Sequence, residues 1–103
     1  MSYYTDYSVS VQNASEADLR SIEKYLTEEI WLEPWGDGWS GNLSHDIEDE
    51  MRALSAAYPD VLFTVYGVGE MNDDMFYEYY KAGKMQRCPA IITFDPYDET
   101  KLE

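Results

Sequence analysis

Apolar side chains occupy every second position near the start of the chain, at Tyr7, Val9 and Val11, and polar side chains separate them. A period of two places the apolar residues on one face of an extended chain. The pattern therefore predicts that the first element is a β-strand with one buried face.

Helical spacing follows this strand. Leu19, Ile22 and Leu26 are three or four residues apart, which gathers them into one apolar stripe of a helix. Ser15 precedes them and has the kind of side chain that caps a helix N-terminus. We predict a helix from about Glu16 to about Glu29.

A second apolar stripe consists of Ile47, Met51 and Leu54. Ser44 is its predicted N-cap, and Pro59 ends the helix because proline has no amide donor and clashes with the preceding turn. The segment between the helices, residues 31–41, contains three Trp, one Pro and three Gly. We expect short extended pieces there and no helix.

The C-terminal half is rich in β-branched and aromatic residues and predicts strands at Val61–Tyr66, Met75–Tyr80, Lys84–Cys88 and Ala90–Phe94. Ala82-Gly83 is the predicted turn of a hairpin. Residues 1–103 should therefore form a single α+β domain, with two helices packed on one face of a mostly antiparallel four- to five-stranded sheet.

The charge of the chain restricts its partners. Twenty-one acidic residues against seven basic ones give a formal net charge of −14. Such a chain repels nucleic acids and anionic membranes and attracts basic surfaces. The single cysteine, Cys88, fits a reducing compartment, and the first residues lack the basic and apolar regions of a signal peptide. We expect a cytoplasmic protein.

Candidate catalytic residues are few. Gly36–Gly41 matches a G-x-G-x-x-G string, but Pro34-Trp35 precedes it where a dinucleotide site needs a buried parallel strand. His45 is the single histidine, and neither it nor Cys88 lies in a catalytic signature. We therefore predict no catalytic residue, no metal site, no cofactor and no enzyme activity. A small hydrolase that uses His45 or Cys88 is the least favoured alternative.

The acidic residues are unevenly distributed. Between Glu16 and Glu50 there are eleven acids and two bases. Asp46, Asp49 and Glu50 have the i, i+3, i+4 spacing that places side chains on one helix face, about 5–6 Å apart. Together with Glu28, Glu29, Glu33 and Asp37, they would form a row of carboxylates resembling the phosphates of one DNA strand. A solubilising surface is the alternative explanation for the same residues.

A second candidate surface involves tyrosines. In the strand Met75–Tyr80, Tyr77 and Tyr79 face one way, and Phe76 and Tyr80 face the other. One pair can join the core while the other contacts a partner, because Tyr is frequent at protein interfaces. This surface predicts a protein-interaction module or a homodimer as the alternative function.

Residues 59–70 (PDVLFTVYGVGE), 80–86 (YKAGKMQ) and 90–98 (AIITFDPYD) resemble a group of small uncharacterised proteins from phages and mobile elements. That resemblance carries over no functional residue. In size, charge and inferred fold the chain is also similar to acidic anti-CRISPR and anti-restriction proteins of phages, several of which mimic DNA. This likeness implies a non-catalytic inhibitor that binds the basic surface of a nucleic-acid-handling protein or complex.

Overall fold

The computed structural model describes residues 2–103. The elements in this range are β1 (Thr5–Gln12), α1 (Glu16–Glu28), β2 (Glu33–Trp35), β3 (Gly38–Leu43), α2 (Glu48–Ala57), β4 (Leu62–Val68), β5 (Met75–Lys81) and β6 (Lys84–Pro89). The six strands form one sheet in the order β2-β3-β1-β4-β5-β6, and every neighbouring pair is antiparallel. A short 3-10 turn at Glu99–Lys101 follows. The α+β class is confirmed.

Both helices cover the same face of the sheet. Alternate strand residues such as Val9, Val65 and Tyr80 are buried in one hydrophobic core with α1 and α2. Ile22 and Met51 contribute from the helices and are fully buried. The other face of the sheet carries no helix, so its side chains are open to solvent. The sequence pattern predicted this arrangement.

The start of α1 agrees with the sequence. The Ser15 side chain accepts a hydrogen bond from the Asp18 amide at 3.1 Å, which satisfies one of the free N–H groups of the first turn. Leu26 and Ile22 form the buried stripe. The helix ends at Glu28, within one residue of the predicted boundary.

The predicted start of α2 is wrong. The helix begins at Glu48, and its N-cap is Ile47, whose side chain is fully buried and makes no capping hydrogen bond. Residues 44–47 connect β3 to the helix layer, so Ser44 lies too early to act as a cap. The carboxylate of Asp46 accepts a hydrogen bond from the Glu48 amide at 3.0 Å instead.

The predicted number of strands is also too small. The Trp-rich segment forms the hairpin β2–β3, in which Trp39 pairs with Val9 of β1 and is buried. The Trp39 indole N–H donates to the Glu23 carboxylate at 3.3 Å. Conversely, Ala90–Phe94 is not a strand. The Ala90 amide donates to Met75, the first residue of β5, so no residue of β5 remains to pair with the rest of the segment. The sheet therefore has six strands, where four or five were predicted.

The hairpin turn between β5 and β6 is confirmed. Ala82 and Gly83 both have positive φ angles, of 53° and 80°, as a type I′ turn requires. This turn fixes the register of the two strands, with Tyr80 opposite Met85 and Glu78 opposite Arg87. Because Glu78 and Arg87 are opposite each other, their side chains lie on the same face of the sheet.

Candidate functional site

The strand directions bring several acidic segments to one end of the sheet. β1 starts and β3 ends there, since Thr5 pairs with Leu43. α1 returns from the far end of β1, so its C-terminus lies at this end, and α2 starts there after β3. We call the side chains of Glu28, Glu29, Asp46, Asp49 and Glu50 the acidic end.

The acidic end has almost no local cation. From Glu28 to Glu50 the sequence has eight acidic residues and neither Lys nor Arg. Among the described residues, Glu48 is the one member of that stretch that forms a salt bridge, with Arg52 at 2.9 Å. Most of these carboxylates therefore remain available to charges on another molecule.

One acid from each helix end acts on the hydroxyl of Tyr25. Burial raises the pKa of the Tyr25 hydroxyl, and the carboxylates of Glu50 and Glu29 raise it further. Both carboxylates act on one ring, so the C-terminus of α1 and the N-terminus of α2 contribute to a single negative region. The sequence alone does not reveal this proximity, because Glu29 and Glu50 are 21 positions apart.

The two helix ends differ in the energetic effect of their acids. At the N-terminus of α2, Asp49 and Glu50 interact favourably with the helix dipole. At the C-terminus of α1, Glu28 and Glu29 face the negative end of the dipole, and the last turn contains no basic residue. Glu28 and Glu29 thus cost folding energy, and neither forms a salt bridge within the described residues.

The predicted row of carboxylates is only partly assembled. Asp46 precedes α2, so it does not share a helix face with Asp49 and Glu50. Glu33 is the first residue of edge strand β2, opposite Ser40, and Asp37 lies in the β2–β3 turn near the far end of the sheet. The charges form a cluster at one end, with two separate acids along the β2 edge, and not a straight line.

The open face of the sheet carries the predicted tyrosines. Tyr77 is exposed and Tyr79 is half-buried, and their rings are nearly parallel with centroids 6.2 Å apart. Tyr66 of β4 contacts Tyr77 at 4.8 Å between centroids. A shallow groove separates these rings from Trp35 on β2, and its floor consists of small residues, Ser8, Ser10, Ser40 and Thr64.

A buried charge on the helix-covered face was missed by the sequence analysis. Glu78 is 2% exposed, and its carboxylate accepts hydrogen bonds from the Tyr80 hydroxyl at 2.8 Å and from Arg87 at 2.9 Å. Two features of the sequence could have identified this contact. Alternation along β5 places Glu78 on the same face as Tyr80, and the Ala82-Gly83 turn sets the register that places Arg87 opposite Glu78. Burial and the hydrogen bond to Glu78 raise the pKa of Tyr80.

The residues considered for catalysis are not brought together. His45 is exposed in the connection that follows β3, whereas Cys88 is half-buried on β6, at the opposite edge of the sheet. In residues 2–103, no group of three or more His, Cys, Asp or Glu side chains has the geometry of a metal site. None of the helices in the same range is long and apolar enough to cross a membrane.

One pair of basic residues lies away from the acidic end. Lys81 and Lys84 flank the β5–β6 turn, at the end of the sheet opposite the acidic end. No protein-family model, no curated protein and no solved structure matches this chain.

Proposed function

We propose that this protein is a non-catalytic binding protein whose acidic end engages the basic surface of a nucleic-acid-handling protein, as a phage inhibitor of the DNA-mimic type does. The observation that carries the proposal is the run of eight acids without Lys or Arg between Glu28 and Glu50, of which Glu48 alone is paired within residues 2–103. Glu28 and Glu29 add support, because they lower the stability of α1 at its C-terminus. Acids that do not stabilise the fold are better explained by a role in binding a partner.

The charge of the acidic end defines the chemistry of the partner. A protein that binds DNA gains affinity when its Lys and Arg side chains release the counterions of the phosphates. Clustered carboxylates on a rigid scaffold offer the same partner a similar electrostatic gain. The partner would then be unable to hold DNA and this protein at the same site, which is the basis of inhibition.

The experiment is affinity capture from host-cell lysate with two variants that each lose four carboxylates. The acidic-end variant carries Glu28→Gln, Glu29→Gln, Asp49→Asn and Glu50→Gln. Asp46 stays unchanged because it binds the Glu48 amide. The control variant carries Glu16→Gln, Asp60→Asn, Glu99→Gln and Glu103→Gln, whose side chains are exposed outside the acidic end.

The proposal expects a partner that the wild type and the control variant retain and the acidic-end variant loses. Duplex DNA should displace that partner from the wild type, because both ligands use one basic surface. Equal retention by the two variants, or a partner that DNA does not displace, would refute the DNA-mimic function.

The open sheet face supports a second candidate function, a protein-interaction module. Trp35 is 77% exposed and stands across the groove from Tyr66 and Tyr77. Exposed aromatic side chains around a groove are typical anchors of protein contacts. A partner that is lost after Trp35→Ser and Tyr77→Ser, and kept by the acidic-end variant, would favour this function.

A further inference from the structure

The C-terminal tail, residues 90–103, extends away from the body of the protein. Ile91 is 89% exposed, Phe94 is 88% exposed and Tyr97 is 77% exposed. The radius of gyration is 16.8 Å, against about 13 Å for a compact chain of this length. The longest dimension of the molecule is 58 Å. The tail thus exposes large apolar side chains that the body of the same chain does not cover.

The tail and strand β6 both lack a pairing partner. β6 is at the edge of the sheet, so one side of its backbone has no neighbouring strand among the described residues. Ile91, Ile92 and Thr93 are β-branched and favour extended pairing. The last backbone link to the sheet is the Ala90 amide, which donates to the Met75 carbonyl at 2.8 Å. The unpaired edge strand β6 is therefore followed directly by a segment that favours strand pairing and has no partner.

The charges along this region favour a second copy of the same chain as the partner. Lys84 and Arg87 of β6 are followed by the uncharged stretch 88–94, and Asp95 and Asp98 come next. If the tail runs antiparallel to β6 of another copy, the acids of each tail approach the cations of the other chain. Asp95 also contacts Lys101 of its own chain, but this ion pair is exposed and 3.9 Å long, so it competes only weakly with a contact to the other copy.

We propose that two copies of this chain form a homodimer in which each tail pairs with β6 of the other copy. The two contacts are equivalent under a two-fold axis, which closes the assembly. Each contact covers Ile91 and Phe94, supplies backbone partners to β6, and joins opposite charges. The proposed contact uses neither the carboxylates of the acidic end nor the side chains of the groove, so it does not depend on the proposed function.

Sedimentation velocity of the full chain over a wide concentration range tests the proposal. The wild type should sediment at twice the 12.0 kDa mass of one chain. The variant Ile91→Ser/Phe94→Ser should raise the dimer dissociation constant by about tenfold or more, because it removes apolar area from the contact. Both side chains are exposed in the single chain, so circular dichroism should show an unchanged fold.

Matched variants separate this contact from other modes of association. Lys84→Glu should weaken the dimer, whereas Lys24→Glu on α1 makes the same charge change away from the contact and should not. Trp35→Ser is the control for loss of an exposed aromatic side chain. A wild type that remains monomeric would overturn the proposal. So would an unchanged dimer dissociation constant for Ile91→Ser/Phe94→Ser, or dissociation of the dimer after Tyr77→Ser on the open face.

Discussion

Arg87 holds the carboxylate of Glu78 at 2.9 Å across the β5–β6 hairpin, and the carboxylate is almost completely removed from water. The guanidinium carbon of Arg87 also lies 4.0 Å from the centroid of the Phe76 ring. Tyr80 donates the second hydrogen bond to the same carboxylate. These contacts tie the edge strand β6 to the core of the sheet.

Replacing Arg87 with Met should destabilise the protein by about 2–3 kcal/mol, because a buried carboxylate loses its cation. The figure is placed at the low end of the range for buried pairs because half of the Arg87 side chain is exposed. Urea unfolding measures the change. Lys24→Met is the control, since that side chain is exposed on α1, and it should cost less than about 0.5 kcal/mol. Equal costs for the two variants would contradict the assigned role of Arg87.

Tyr80→Phe should have effects at neutral and at alkaline pH. At pH 7 the loss of the hydroxyl removes a donor from buried Glu78 and should cost about 1–3 kcal/mol. The pKa of Tyr80 is raised by burial and by Glu78, so the folded state keeps this proton while the unfolded tyrosine loses it. Wild-type stability should therefore decrease as the pH rises above about 10, the ordinary tyrosine pKa.

The Phe variant should lose stability less steeply above that pH. Urea unfolding at several alkaline pH values measures the slope, and Tyr97→Phe in the exposed tail is the control. The remaining slope of the Phe variant comes in part from Tyr7 and Tyr25, since burial raises the pKa of each. Identical slopes for the wild type and Tyr80→Phe would contradict this interpretation.

Glu28→Gln with Glu29→Gln should stabilise the isolated protein, because both carboxylates face the negative end of the α1 dipole. An increase of about 0.5–1 kcal/mol is expected at low salt. Glu16→Gln with Asp18→Asn is the matched control in the first turn of the same helix and should have the opposite sign. Thermal unfolding at low and high salt measures both, and stabilisation by the two pairs alike would indicate general charge repulsion instead.

Ala82→Asn should stabilise the β5–β6 hairpin by about 0.5–1 kcal/mol, because Asn tolerates the positive φ of this position better than Ala. Thermal unfolding measures the gain. Ala53→Asn, at an exposed position within α2, is the control and should destabilise because Asn is a weaker helix former. A loss of stability in both variants would contradict the type I′ assignment.

The sequence predicted those elements in which local pattern and tertiary packing agree. Ser15 with the Leu19–Leu26 stripe predicted α1, and the alternation along β5 predicted that Phe76 and Tyr80 share one face and Tyr77 and Tyr79 the other. The short extended pieces predicted in residues 31–41 are present as β2 and β3, but three glycines and a proline obscure their place in the sheet, which depends on the pairing of Trp39 with β1. Ala90–Phe94 has strand composition but no partner strand within the described chain.

The candidate site was predictable in part. The excess of acids before Glu50 is visible in the sequence, but their arrangement depends on where α2 begins. Burial of Ile47 moves the helix start past Ser44, so Asp46 leaves the predicted face and binds the Glu48 amide. The shared effect of Glu29 and Glu50 on Tyr25 results from the packing of the two helices over the sheet, which no local pattern encodes.

The central claim is that the acidic end is the part of the molecule that a basic partner recognises. Its most direct test is the salt dependence of the dissociation constant for the captured partner, measured with the wild type, the acidic-end variant and the charge-matched control. The account predicts that log Kd depends less steeply on log salt for the acidic-end variant than for the wild type, because the variant has lost four charges that the partner contacts. The control should keep the wild-type slope, and equal slopes for all three proteins would contradict the claim.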